Sequence, residues 1–288
     1  MAEVQIGVIG GSGLYEIEGL TDIHKVDVDT PFGKPSDVIT TGLLEGKRMA
    51  FLPRHGKGHR LNPSEVPFRA NIFALKSLGV ERIISVNSSG SLREEVHPGE
   101  MVVPDQVIDR TVHRVNTFFD HGIVVHVPFA DPFCPELRAV LYRSGEESGV
   151  RMHPKGTFIV MEGPQFSTRA ESHLYRSWGA DLIGMTILPE ARLAREAEIC
   201  YASLALVTDY DCWHESLESV TIAMVLETMN KNVANAKNII KLAAGRISAG
   251  RKCGCGETLK TSIVTAPERI PASVKKDLAP LLGKYLPV

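Results

Sequence analysis

The chain has 288 residues, 43% hydrophobic and 23% charged, with a formal net charge of −2 and five cysteines. This size and composition suit a globular α/β protein of one large or two small units, and the charge excludes a general nucleic-acid binder, which carries a basic surplus. No apolar run is long enough to span a membrane, and Met1-Ala2-Glu3-Val4-Gln5 lacks the basic start of a signal peptide, so a cytoplasmic protein is expected.

Val4–Ile9 is a short apolar strand that ends in Gly10-Gly11-Ser12-Gly13. Val38–Leu44 and Arg48–Leu52 flank Glu45-Gly46-Lys47 and predict a hairpin. Pro63–Leu78 carries Val66, Ala70, Ile72, Phe73 and Leu75 at helical spacing, with Ser64 as its cap. Arg82–Val86 is a strand ending in Asn87-Ser88-Ser89-Gly90-Ser91, and Glu100–Val107 is another, cut by Pro104. Asp109–Asp131 is irregular and rich in His and aromatics, the mark of a functional loop.

Helices are predicted at Pro135–Ser148, Thr168–Trp178 and near Pro189–Glu196, and strands at Gly156–Met161 and Asp181–Met185. The apolar stretch Ile199–Val207 has the length and composition of a buried parallel strand, and a long amphipathic helix follows from about Ser219 to Leu242. Beyond Gly245 periodicity is lost until a terminal helix at Val274–Leu282. With no repeat, low-complexity tract or linker, the simplest organisation is one α/β domain at 1–248, with a C-terminal helical extension at 249–288 packed on it.

Chemistry gathers at the strand ends. Asp209 and Asp211 stand at alternate positions where the Val207 strand closes, the place where α/β sheets hold ligands. A carboxylate there can accept a proton from an exocyclic amine or, when protonated, give one to a ring nitrogen; otherwise the pair caps the next helix. Gly10-Gly11-Ser12-Gly13 fails the spacing of a dinucleotide fingerprint and lacks the Lys-Ser/Thr of a P-loop. It can still present backbone N–H groups and the Ser12 hydroxyl to an anion. Arg54 and His55 follow another strand and add donors suited to phosphate oxygens. Ser88 and Thr186 add hydroxyls at two more strand ends, together describing a site for a small free oxyanion.

Cys134, Cys200 and Cys212 lie in apolar or aromatic surroundings and read as plain buried thiols. Cys253-Gly254-Cys255 offers two ligands with no second Cys or His pair nearby in sequence, which makes no zinc site. It reads as two free thiols or as a disulfide. No metal and no cofactor are expected.

As an ordered set, these segments resemble the trimeric nucleoside phosphorylase superfamily, in its methylthioadenosine phosphorylase branch. The segments are Ile9–Leu14, Pro53–Gly56, Gly90–Glu95 with Pro98-Gly99, Asp105–Thr111, Pro132–Pro135, Glu162–Ser167, Trp178–Asp181, Gly184–Thr186 and the Asp209 run. The resemblance implies a central mixed sheet of nine or so strands flanked by helices, and a homotrimer or dimer of trimers with an active site near each interface. It implies a salvage reaction in which 5′-methylthioadenosine and phosphate, a co-substrate, give adenine and 5-methylthioribose 1-phosphate. Neither nucleic acid nor membrane is implied as a partner.

Carried over by position, the resemblance gives phosphate to Ser12, Arg54, His55, Ser88 and Thr186. Phe166 would face the purine, Ser167 and Asp209 would bond its edge with Asp211 in support, and Met185 would lie against the ribose. His126 would reach from a neighbouring subunit toward the 5′ end of the sugar. Ile222, Val225 and Leu226, on one helical face, would line an apolar 5′ pocket. Members of the family often carry Thr where this chain has Ser12, and Thr-Ala-Cys-Gly where it has Asn87-Ser88-Ser89-Gly90. Serine keeps the hydroxyl; Asn87 is assigned no role. The CxC pair looks like a feature of some prokaryotic members, where it is associated with stability.

Breaking an N-glycosidic bond leaves positive charge on the sugar and negative charge on the base. Phosphate under C1′ stabilises the cation and captures it with inversion, while a carboxyl group assists the base at N7. Asp209 suits that task if burial and the Asp211 charge raise its pKa. It also suits adenine, whose N6–H₂ donates, over 6-oxopurines, whose O6 an ionised carboxylate repels. The competing readings are a phosphorylase acting on methylthioinosine or other 6-oxopurine nucleosides, a nucleoside hydrolase, and a non-catalytic nucleoside-binding protein.

Overall fold

A computed structural model describes residues 4–11, 14, 16–214 and 222–286, with the backbone alone at 222–227 and 229. The strands are β1 (Ile6–Gly10), β2 (Thr21–Val26), β3 (Ile39–Leu44), β4 (Lys47–Pro53), β5 (Arg82–Ser91), β6 (Met101–Val102), β7 (Gln106–Arg110), β8 (Met152–His153), β9 (Thr157–Met161), β10 (Leu182–Gly184) and β11 (Cys200–Tyr210). The helices are α1 (Phe68–Ser77), α2 (Pro135–Glu147), α3 (Arg169–Ser177), α4 (Ile187–Glu196), α5 (Ile222–Arg246), α6 (Ala272–Asp277) and α7 (Ala279–Leu282). Among the described residues, no helix is long and apolar enough to cross a membrane.

All the strands join one mixed sheet ordered β2-β3-β4-β1-β5-β10-β9-β7, with β11 paired to β5 and β6 and with β8 on β6. The resemblance implied about nine strands; among the described residues the sheet has 11. Strands β4, β1, β5 and β11 run parallel. β1 is buried on both faces and β11 is buried from Cys200 to Thr208, as apolar runs in a covered parallel sheet should be. Helices α1 and α4 pack together on one side of the sheet, α2 and α5 on the other. The β3–β4 hairpin turns at Glu45 and Gly46, both at positive φ (49° and 71°), the backbone of a primed two-residue turn.

Several boundaries depart from expectation, among them that of β11, which runs on past Val207 to Tyr210. Helix α1 starts at Phe68 rather than Pro63, because Pro67 occupies its N-cap. Ser64 is therefore no cap: its hydroxyl donates to Glu162 Oε1 at 2.8 Å. β5 does not end at Val86 but continues through Asn87-Ser88-Ser89-Gly90-Ser91, held along its length by β11. The terminal helix breaks at Leu278, just before Pro280, into α6 and α7.

The C-terminal extension sends Leu259, Ile270, Leu278, Leu281 and Leu282 into the same apolar cluster as Phe73, Leu75 and Leu193. Such side chains contribute about 1.5–3 kcal/mol each when fully buried. The extension also adds to the cysteine reading. Cys134 and Cys200 are free and buried, and the fold sets them beside Cys253 and Cys255, all four sulfurs within 4.8 Å of one another.

Candidate active site

The site lies where β5 changes partners. β5 pairs with β1 only as far as Ser85. Its second half leaves β1 and meets β10, which runs antiparallel and sets Ile183 against Gly90 and Leu182 against Ser91. The divergence opens the carboxyl end of β1 beside Asn87 and Ser88, a switch point of the kind where parallel sheets bind ligands. The ends of β4 (leading to Arg54-His55), β10 (leading to Met185-Thr186) and β11 (Asp209) meet at the same edge of the sheet.

Asp209 and Asp211 sit against Gly90. The β5–β11 register slips between Val207 and Asp209, a bulge that re-aims the strand end. A Cβ on Gly90 would lie 3.1 Å from Asp209 Oδ1 and 3.4 Å from Asp211 Cβ, so the absent side chain lets both residues close over the strand. Burial raises the Asp209 pKa and the Asp211 charge raises it further, against the Thr208 hydroxyl that donates to Asp209 at 2.7 Å. Asp211 is also raised, chiefly by burial, with the Ser172 hydroxyl opposing. Cys212 joins this end to Ser167 by donating its S–H to the Ser167 carbonyl at 3.3 Å. Trp213 locks the turn through Nε1–H to the Ser91 carbonyl at 2.8 Å, under the Arg176 guanidinium 3.4 Å from its ring centroid.

The expected anion end is built on a buried network that sequence reasoning did not find. Arg54 is 3% exposed and Glu190 fully buried. Arg54 donates to both Glu190 oxygens at 2.5 and 3.0 Å, to Ser85 Oγ at 2.7 Å and to the Val86 carbonyl at 2.9 Å. Ser85 and Tyr201 donate to Glu190 Oε2, each at 2.9 Å. Most of the five N–H groups of the guanidinium are thus committed inside the protein, and Glu190 keeps Arg54 charged against its burial. Asn87 has a clear place here. Its amide N–H groups donate to Ser85 and Ser203, both at 2.9 Å, and its carbonyl accepts from Thr186 at 2.9 Å. Thr186 is thereby tied to Arg54 through Asn87 and Ser85.

The His55 ring is held from inside the protein. Burial, and then the Arg54 charge, press its pKa down to about 4. A neutral ring whose Nδ1 faces the Leu61 carbonyl at 2.8 Å must carry its one proton there. Nε2 is then an acceptor, so His55 offers an anion its backbone N–H rather than its ring. The imidazole stacks on His59 with centroids 4.2 Å apart. Ser88 is exposed at the open edge of β5, and Ser12 lies outside the described residues.

A second unforeseen pair, Arg114 and Glu162, braces the backbone that carries Met185. Arg114 donates to the Met185 carbonyl, to the Leu188 carbonyl at 2.9 Å and to the Glu162 carbonyl at 2.6 Å. The Glu162 carboxylate accepts from Val112 N–H, His113 N–H and Ser64 Oγ. Partial burial works against these donors, yet they and Arg114 hold its pKa at about 2. Met185 lies over Gly163, where a Cβ would come within 2.6 Å of its sulfur. Ser167 is nearly buried, and its hydroxyl meets Met161 Sδ at 3.5 Å. Phe166 is 82% exposed on the single chain. His126 is exposed on a loop whose backbone N–H donates to the Ser262 carbonyl at 2.9 Å. Ile222, Val225 and Leu226 occupy the first turns of α5, with side chains outside the described residues.

A family model described as the phosphorylase superfamily matches residues 5–244. The chain belongs to the phosphorylase superfamily. Within it, the chain is 56% identical over 285 residues to a Geobacter sulfurreducens protein named S-methyl-5'-thioadenosine phosphorylase, covering 99% of this chain and 100% of that one. It superposes on a methylthioadenosine phosphorylase sourced from an antarctic soil metagenomic library with a TM-score of 0.94, at 50% identity, covering 98% and 100% of the two chains. A Schistosoma mansoni methylthioadenosine phosphorylase in complex with adenine is also similar, with TM-score 0.85 and 38% identity over 91% of this chain and 99% of that one. The superfamily's mixed sheet with flanking helices is the architecture the sequence predicts.

Proposed function

We propose that the chain is a pentosyltransferase that cleaves 5′-methylthioadenosine with inorganic phosphate to adenine and 5-methylthioribose 1-phosphate. The observation that carries this reading is the carboxylate pair closed over Gly90, with Asp209 pushed toward its protonated form. As the C1′–N9 bond breaks, its electron pair passes into the purine. Asp209 gives its proton to N7 or shares it there, which makes adenine a better leaving group. A phosphate oxygen forms the new bond to C1′ from the opposite face, with inversion. Asp211 and Ser167 support the base edge, and the Asp209 carbonyl oxygen accepts from N6–H₂.

Phosphate would be held by Ser12, Ser88, Thr186 and the His55 backbone N–H. Arg54 stands behind them as a fixed positive charge, with Glu190 and Asn87 setting its position and that of Thr186. Phe166 would cover the purine and Met185 the ribose, with Ile222, Val225 and Leu226 around the methylthio group. The chain would act as a homotrimer, alone or stacked in pairs, with His126 completing the site of its neighbour. That arrangement would also cover Phe166.

The test is ultraviolet-monitored cleavage of 5′-methylthioadenosine with and without phosphate, beside methylthioinosine and adenosine. Adenine release that requires phosphate and prefers the methylthio substrate is expected. Release without phosphate means a hydrolase, and a preference for methylthioinosine means that Asp209 does not select the amino group.

A further inference from the structure

Four cysteines from three separate parts of the chain meet at the end of the sheet opposite the carboxylate pair. Cys134 caps the N-terminus of α2, and its N–H donates to the Tyr201 carbonyl at 2.8 Å. Cys200 opens β11, and Cys253 and Cys255 come from the extension, at and inside a 3-10 segment (Gly254–Thr261). Cys134, Cys200 and Cys255 are buried and Cys253 is part-buried. The Cys253 sulfur stands 3.6 Å from that of Cys134 and 3.4 Å from that of Cys200.

These separations discriminate between the fates open to such thiols. A disulfide needs sulfurs at about 2.05 Å. Four thiolates at about 2.3 Å around a tetrahedral zinc ion lie roughly 3.8 Å from one another. All four sulfurs, supplied by one chain, fall within 4.8 Å of one another. The surroundings suit the two negative charges such a complex carries. The Arg251 guanidinium stands beside Gly256, the residue after Cys255, and donates to the Glu198 carbonyl at 2.8 Å. Cys134 also sits at the positive end of the α2 dipole. Gly256 belongs to the same design, since a Cβ there would meet Arg251 Nη2 at 2.6 Å.

We propose that Cys134, Cys200, Cys253 and Cys255 form a structural site for one zinc ion that fastens the C-terminal extension to α2 and β11. Four S–H bonds break, four Zn–S bonds form and four protons leave for solvent; no electron is transferred. With four protein ligands there is no open position for substrate. β11 separates Cys200 from Asp209 by nine residues, about 30 Å of strand, so the ion would take no part in phosphorolysis. The expectation of no metal rested on the CxC pair standing alone in sequence, and the fold supplies its second pair.

The test is elemental analysis of the untagged, full-length protein, purified without chelator and reconstituted with zinc under reducing conditions. One zinc per chain is expected, resistant to dialysis and released by a mercurial thiol reagent. Cobalt in its place should give the absorption of a tetrahedral tetrathiolate. Cys253→Ser and Cys255→Ser should each lower zinc affinity at least tenfold and lower the melting temperature, with the KM for the nucleoside unchanged. Cys212→Ser, outside the cluster, should keep one zinc per chain. A wild-type protein that takes up no zinc overturns the site, as does an intact mass four hydrogens short, which means two disulfides. Both overturning results come from wild-type protein, so they stand even if a variant fails to fold. They are also independent of whether the nucleoside reading holds.

Discussion

In the proposed reaction Asp209 would carry the selectivity, because its chemistry differs from that of the isosteric amide. A protonated carboxyl group accepts from the adenine N6–H₂ at its C=O oxygen and can hand its O–H proton to N7. An asparagine amide can donate to O6 of a 6-oxopurine but has no proton to lose. Asp209→Asn should therefore lower kcat/KM for 5′-methylthioadenosine by about 10²-fold or more, the scale of a mispaired buried polar contact. The ratio of methylthioinosine to methylthioadenosine turnover should rise with it; an unchanged ratio would remove Asp209 from base recognition. The carboxylate pair was legible in sequence because it stands just past an apolar run of strand length. Its partners were not. Gly90 matters because a Cβ there would lie 3.1 Å from Asp209 Oδ1, which no local pattern announces. Glu190 and Arg54 are 136 residues apart in the chain, so Arg54 alone looked like a free phosphate donor. The Leu61 carbonyl that orients the His55 ring is likewise visible only in the fold.

Secondary elements with a strong period were read well, and elements made of small polar residues were not. Asn87-Ser88-Ser89-Gly90-Ser91 has turn composition, yet it is strand because β11 pairs with it throughout and the network buries the Asn87 and Ser89 side chains. Tertiary pairing overrode local propensity there. The coil between β7 and α2 was expected to be irregular, and one helix residue holds part of it in place. Glu196, in the last turn of α4, accepts from the Thr117 hydroxyl and the Phe118 N–H, both at 2.7 Å. Burial outweighs those bonds and raises its pKa from 4.5 to about 7. A carboxyl group that holds its proton more tightly when folded stabilises the protein most below its unfolded pKa, and that contribution is lost as pH rises through the folded one. Glu196 should thus contribute about 3 kcal/mol that fades between about pH 4.5 and pH 7. Glu196→Gln keeps an uncharged acceptor for Phe118 and should flatten this part of the pH profile. Urea midpoints at pH 5 and pH 8 measure it; an equal pH slope in both proteins would show that the carboxyl group does not titrate in that window.

At the scale of the molecule, sequence order predicted the α/β body but not how distant segments meet. Cys134 and Cys253 are 119 residues apart, beyond the reach of any spacing rule for metal ligands. The same limit applies between chains. Phe166, Val112 and Val115 are 82%, 76% and 53% exposed on one chain, and apolar side chains left open beside a site call for a covering surface. His126 is exposed, but its loop is pinned through Ser262 and through the Val125–Ile263 bridge, which suits a residue that must be presented to a neighbour at a fixed place. If each site takes Asp209 from one chain and His126 from the next, two defective chains can repair one another. His126→Ala chains keep Asp209, and Asp209→Asn chains keep His126. In co-expressed trimers that hold both chains, about one site in three would combine an intact Asp209 with a neighbour's intact His126. Such trimers, isolated through different tags on the two chains, should be more active on 5′-methylthioadenosine than the mean of the two parent homo-oligomers. If His126 served its own chain instead, every site would keep one defect, and the mixture would match that mean.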